Sequence, residues 1–302
     1  VGITLTKEKQ MKNVSTSMPH PAENDLSALT RPVFISLVFF LAVVTLRYTE
    51  IFISGLNTLP DKTIVSRVLG FILVLGYLWL IRKPIQSIGL HARNFDKAFL
   101  IGGLSLIILY IVLYTIQFVS LSNAGETPQL VFAAINKEIG ILGGFSFTMF
   151  YLFGQIVNAI MEESIFRGVM LPNLMQRFKF WQANILQAIL FGLAHLVWPL
   201  SDWLRGKSTA GEAMAAAGSL LFAATIGGLV FGYLFYRTDS LWTAILAHFV
   251  DNAVSLFFHI QTATRTNAEA DILMIASLGF LALVVLAKVV AKRSNLPTLE
   301  PW

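Results

Sequence analysis

The heptapeptide Met161-Glu162-Glu163-Ser164-Ile165-Phe166-Arg167 lies inside a long apolar stretch, and its reading decides the fold. Carboxylates at membrane depth cost about 2.5–3.5 kcal/mol each on insertion scales, so they persist mainly where they are paired and used. The surrounding chain makes that depth real: 56% of its residues are hydrophobic, 13% are charged, and its mean hydropathy is +0.70. A soluble domain averages about 45–50% apolar and about 25% charged residues. The balance fits a polytopic membrane protein.

A bilayer core takes about 20 apolar residues per helix. Eight stretches qualify, near 33–55, 64–82, 97–121, 141–164, 182–200, 215–236, 240–260 and 271–290. Backbone polar groups in lipid must be satisfied within the segment, so these are helices. The ten-residue alternation of an outer-membrane barrel is missing. The expected fold is all-α: a polytopic membrane helix bundle of about eight transmembrane helices enclosing an intramembrane active-site cavity. Residues 1–32 form a polar cytoplasmic tail, 33–292 the bundle with a motif-bearing core at 141–260, and 293–302 a short C-terminal tail. The fourth helix is expected to continue past the glutamates to Pro172. The opening residues lack the pattern of a removable signal peptide, so the first apolar run is expected to serve as an uncleaved anchor.

Lys and Arg crowd the tails and even-numbered connections, as at Lys7, Lys12, Arg31, Arg82, Lys83, Arg93 and Lys97. They thin out in the odd-numbered ones, which hold Lys62, Lys137, Arg205, Lys207 and Arg265. The positive-inside bias then puts both termini in the cytoplasm, and the short connections suggest a bacterial inner-membrane protein. Because the net charge of +5 sits in these connections, it sets orientation and is no signal for nucleic acid. The expected partners are membrane lipid and a protein or peptide substrate. Cysteine is absent, which excludes disulfides, Fe–S clusters and thiolate zinc sites. A metal would need His and carboxylate ligands; no cofactor is expected.

Two further polar clusters interrupt apolar helices: Phe191-Gly192-Leu193-Ala194-His195 and His248-Phe249-Val250-Asp251-Asn252. At 1.5 Å per residue, Glu162 lies about 22 Å from Arg177, His195 about 21 Å from Trp181, and His248 about 16 Å from Arg237. Three helices thus carry ionisable groups to a comparable level. Glu162 shares a face with Asn158 and Gln155, a polar stripe that should look into a cavity. Glu163 is rotated about 100° away and pairs at i,i+4 with Arg167, an ion pair that anchors the helix. The two glutamates should therefore have separate jobs. His248 and Asn252, again i,i+4, present an imidazole and an amide side by side.

A single intramembrane histidine is often a helix–helix hydrogen-bonding residue, and a Glu–Glu–Arg set can be a purely structural network. Matched depth on three helices favours function, because so many buried polar groups need compensation. Arg47 and Glu50, at i,i+3, read as an interfacial pair. Asp251 either orients His248 or faces a neighbouring helix. His259, His20 and His91 read as ordinary. Gly228-x-x-x-Gly232 beside Gly227 reads as a close helix contact.

The ordered set Glu162-Glu163-x-x-x-Arg167, Phe191-x-x-x-His195 and His248-x-x-x-Asn252 resembles the EExxxR, FxxxH and HxxxN/D pattern of the CPBP family, the CAAX proteases and bacteriocin-processing enzymes also called the Abi family. The resemblance covers roughly residues 141–260. It implies an intramembrane glutamate-type endopeptidase acting on a membrane-associated or lipidated protein or peptide. It implies that Glu162 activates water with His195 helping to hold it, and that His248 and Asn252 stabilise the oxyanion. Glu163 and Arg167 would support the site, with Phe191 packed beside His195. The chemistry is consistent. Burial disfavours a carboxylate's charged form and so lets a glutamate act as base and then acid, while an amide and an imidazole supply oxyanion donors.

Three other readings stand beside it. His195, His248 and Glu162 are a candidate His₂Glu zinc set with an open position for water, although HExxH is absent. Intramembrane Glu and His chains also serve proton-coupled transporters, although no paired broken helices or repeat symmetry appear. A non-catalytic membrane scaffold is the third.

Overall fold

Length, apolarity and the position of Pro and Gly account for most of the architecture. The computed structural model describes residues 26–52, 63–136, 141–265, 268 and 270–302. The expectations for residues 1–25, including Lys7, Lys12 and His20, and for 53–55, Lys62 and Lys137 fall outside these described residues. The described helices are α1 (Leu26–Phe52), α2 (Ile64–Leu80), α3 (Phe95–Ala98), α4 (Ser105–Asn123), α5 (Phe145–Glu163), α6 (Leu171–Met175), α7 (Phe180–Ala194), α8 (Val197–Leu204), α9 (Ala210–Thr238), α10 (Leu241–Phe257) and α11 (Ala270–Arg293). Wider π-helical turns join α3 to α4 (Phe99–Leu104) and α5 to α6 (Ser164–Met170).

This is an all-α membrane bundle. By length and composition, Arg31–Phe52, Phe95–Asn123, Phe180–Leu204 and Ala210–Thr238 are long and apolar enough to cross a bilayer; Ile64–Leu80 and Leu241–Phe257 are shorter apolar helices. Large apolar side chains point outward, among them Phe34, Trp79, Ile111, Phe145 and Phe222. A water-soluble surface rarely tolerates so much contiguous apolar area, whereas lipid accepts it.

Helix α10 sits in the middle, packed by α5, α9, α4 and the Phe99–Leu104 turn. Close approach is built in: a Cβ on Gly102 would fall 2.1 Å from the Thr243 carbonyl oxygen. The α7–α9 contact is the expected small-residue seam. A Cβ on Gly228 would meet Ala188 at 3.0 Å, and one on Gly232 would meet Asn184 Oδ1 at 1.9 Å. Across that seam Asn184 Nδ2 donates to Leu229 O (2.9 Å) and Gln187 Nε2 to Gly228 O (3.0 Å). Gly232→Ala should therefore destabilise the protein by about 1–3 kcal/mol through overpacking, read as a lower unfolding temperature in detergent; an unchanged temperature would contradict the seam.

Several boundaries depart from the sequence reading. Helix α1 begins at Leu26 rather than 33, because helix extends beyond the apolar stretch into the interface. The 182–200 span is broken: α7 ends at Ala194 and α8 starts at Val197. Pro199 explains the break, since it lacks the N–H that would bond His195 O and its ring clashes with that carbonyl. The chain turns there through His195 N–H to Gly192 O (3.1 Å) and Leu196 N–H to Leu193 O (3.1 Å). Helix continues past Pro172 to Met175, reached through the π-helical turn at Ser164–Met170. The 240–260 span stops at Phe257. There β4 (Phe258–Gln261) pairs antiparallel with β1 (Gln129–Phe132), Leu130 opposite Ile260 and Val131 opposite His259. A second small pairing joins β2 (Ile135–Asn136) to β3 (Ile141–Leu142).

Candidate active site

The last turns of α5 deliver both glutamates to the bundle interior, where Glu162 is 1% and Glu163 0% exposed. Arg167 sits in the π-helical turn, fully buried, and its Nη1 donates to Glu163 Oε1 at 2.9 Å. π-bulges of this kind collect at functional sites because they re-aim side chains within a helix. The guanidinium lies over the Phe191 ring at 4.2 Å and near those of Phe231 (5.6 Å) and Phe166 (6.0 Å). Gly228 makes room for it, since a Cβ there would lie 3.3 Å from Nη2. The expected anchoring ion pair is present.

His248, on α10, reaches across to α5. Its Nδ1 is 2.7 Å from Glu163 Oε1 and its Nε2 is 3.5 Å from Glu162 Oε2. Phe231 stacks against the imidazole (5.4 Å between centroids, 18° between planes) and Phe191 meets it edge-on at 6.0 Å. The separation of roles between the glutamates is therefore incomplete. Their helical rotation does send one to Arg167 and the other elsewhere, but one imidazole spans both carboxylates. Spacing along α5 does not show that bridge, because the ring comes from α10.

Glu162 does not simply face an open polar space. Arg47, from α1, is ion-paired with its Oε1, and the same Nη2 donates to Asn158 Oδ1 at 3.1 Å. The i,i+3 pairing of Arg47 with Glu50 is thus replaced. Glu50 instead accepts the Val65 (2.8 Å) and Ser66 (2.7 Å) backbone N–H groups at the start of α2, where a helix has unmatched donors and positive dipole. Arg47 is the site residue that sequence reasoning missed. A guanidinium late in an apolar span was the signal; the nearer acid in sequence was mistaken for its partner. The polar stripe itself is real: Asn158 takes Arg47, and Gln155 Oε1 accepts from Asn252 Nδ2 at 3.3 Å.

His195 stands at the break between α7 and α8, its ring edge-on to Phe191 at 4.6 Å. Its Nδ1 lies 2.8 Å from Phe191 O. A carbonyl oxygen only accepts, so Nδ1 carries the proton, and in the neutral ring Nε2 then keeps its lone pair. The Phe191 ring lies between His195 (4.6 Å between centroids) and His248 (6.0 Å), which places His195 beside the same cluster. Asp251 accepts from the Tyr110 hydroxyl on the neighbouring helix α4. His259 is buried in β4 with Nε2 at 3.1 Å from Ala133 O.

Glu162 Oε2 has no hydrogen-bond partner among the described residues, and the same holds for Glu163 Oε2. Each is an acceptor available to a water or a substrate N–H. No group of three or more His, Asp or Glu side chains among the described residues has a metal-holding arrangement. Glu162, His195, His248 and Asn252 thus occupy one neighbourhood drawn from α5, the α7–α8 break and α10.

Residues 144–254 match the family model described as type II CAAX prenyl endopeptidase Rce1-like. A curated protein, "Putative membrane peptidase YdiL" of Bacillus subtilis (strain 168), is 26% identical over 107 residues, which is 35% of this chain and 36% of that protein. The chain thus matches about a third of the length of this relative. No solved structure matches. The two matches support a place for this chain in the CPBP/CAAX protease family. Every motif residue from Glu162 to Asn252 lies inside the matched segment, while Arg47 lies outside it.

Proposed function

We propose that this protein is an intramembrane endopeptidase that hydrolyses a peptide bond in a membrane-associated or lipidated protein or peptide. The observation that carries the reading is His248 held between Glu162 and Glu163 at 3.5 and 2.7 Å inside a membrane bundle. Glu162 takes a proton from a water whose oxygen adds to the scissile carbonyl carbon, and His195 Nε2 holds that water by accepting its other hydrogen. Doubly protonated His248 donates from Nε2 to the developing oxyanion while Glu163 Oε1 holds its Nδ1–H. Asn252 uses one N–H on Gln155 and keeps a second for the same oxygen. Collapse of the tetrahedral intermediate breaks the C–N bond, and Glu162 returns its proton to the leaving amine. General acid–base transfer of this kind contributes about 10²–10⁴ in rate.

Arg47 compensates Glu162 in the resting site and fixes its orientation. The crowding of Lys and Arg in the tails and even-numbered connections supports an inner-membrane protein with both termini cytoplasmic. In this reading the chemistry runs on side chains alone. The test is cleavage of a membrane-proximal peptide by purified protein in liposomes, with and without a strong zinc chelator. Unchanged activity and less than stoichiometric zinc are expected. Loss with chelator and recovery with zinc would transfer Glu162, His195 and His248 to the metalloprotease reading.

A further inference from the structure

Away from the site, at the end of the bundle where α1 begins and α2 ends, lies a cavity of about 210 Å³ whose lining includes Arg31, Tyr77, Lys83, Asn173, Gln176 and Trp302. It carries two cations and no carboxylate side chain. Among the described residues neither Arg31 nor Lys83 has an ion-pair partner. Lys83 Nζ instead sits 4.5 Å from the centre of the Trp302 ring. Trp302 is held over the cavity by its Nε1–H to Ser87 O (3.3 Å) and by stacking on Tyr77 (6.2 Å). Asn173 is fixed beneath, its Oδ1 accepting from Tyr77 (3.4 Å) and Gln176 (3.2 Å).

Lys83 is shared with a neighbouring cavity of about 640 Å³ that adds Arg82, Trp79 and Leu80. Trp79 is 80% and Leu80 71% exposed, an outward apolar face continuous with the basic floor. Burial lowers the Lys83 amine below its ordinary value, a cost that a bound anion would offset. Cations at a helix end with an aromatic beside them are the chemistry of a membrane interface. Guanidinium and ammonium groups together match a phosphate, one as a fork and one as a point charge.

We propose that this cavity binds the phosphate of an anionic phospholipid headgroup, with Arg31 and Lys83 as counter-charges and the Trp79–Leu80 face receiving the acyl chains. The reading is independent of the peptidase chemistry. It is tested on the full-length protein in detergent by native mass spectrometry and thermal unfolding, with phosphatidylglycerol, phosphatidylcholine or inorganic phosphate added. Phosphatidylglycerol should stay bound and raise the unfolding temperature more than phosphatidylcholine. Arg31→Gln with Lys83→Gln should weaken that binding about thirtyfold, on the scale of about 1 kcal/mol for each basic residue at an anionic surface. The charge-conserving pair Arg31→Lys with Lys83→Arg should keep most of it. Equal retention by the neutral pair, or no preference for phosphatidylglycerol in the wild type, would overturn the proposal. Stabilisation by inorganic phosphate without lipid retention would also overturn it, and would assign the cavity to free phosphate. If the neutral pair does not fold, the wild-type lipid preference still decides.

Discussion

Arg167→Met is expected to lower folding stability by about 3–5 kcal/mol, the cost of stranding a buried charge when its partner is removed. Arg167 and Glu163 are both 0% exposed and joined at 2.9 Å, so the guanidinium is the compensation for the acid. The same substitution removes the cation from among Phe191, Phe231 and Phe166. Glu163→Gln alone should cost a similar amount, because it strands Arg167 instead. Combining Glu163→Gln with Arg167→Met removes both charges, and buried pairs replaced together are often close to neutral. The double variant should therefore recover most of the stability while leaving His248 Nδ1 on a neutral amide instead of a carboxylate. Unfolding of the four proteins in the same detergent measures this cycle. Singles that cost less than about 1 kcal/mol would show a solvated, weak pair of the surface kind.

How much of this was legible beforehand follows from where each interaction lies along the chain. Glu163–Arg167 was readable because i,i+4 spacing on one helix fixes the meeting of two side chains. The Gly228–Gly232 seam was readable because only glycine admits a helix so close. Glu162, His195, His248 and Asn252 were selected by rarity and matched depth in apolar helices, and the bundle does bring them to one neighbourhood.

Contacts between distant segments were not readable. Arg47 and Glu162 are 115 positions apart, and hydropathy says that a buried arginine needs an acid without saying which one. The bridge from His248 to Glu163, 85 positions apart, has the same character. The break at His195 was written in Pro199, four residues on, but the apolarity of the stretch concealed it. The strand at Phe258–Gln261 was hidden likewise, since a short β-rich run at a helix end looks like more helix.

Glu162→Gln is expected to lower the rate of peptide cleavage by about 10²–10⁴, the range for loss of a general acid–base group. The amide is nearly isosteric and still reaches Arg47, but it cannot take a proton from water or return one to the leaving amine. Its fold must be checked in parallel, because Arg47 then lacks a countercharge in a buried place. Arg47→Gln is the informative companion: combined with Glu162→Gln it removes both charges, restoring balance without restoring a base. A protein that regains its unfolding temperature in the Arg47→Gln/Glu162→Gln pair yet stays inactive would separate chemistry from folding.

The measurement that tests the proposed chemistry most directly is a peptidomic comparison of membranes carrying wild-type protein or Glu162→Gln at equal abundance. The account expects defined cleavage products of membrane-associated proteins or peptides in the first and none above background in the second. The same products at the same levels in both membranes would contradict it.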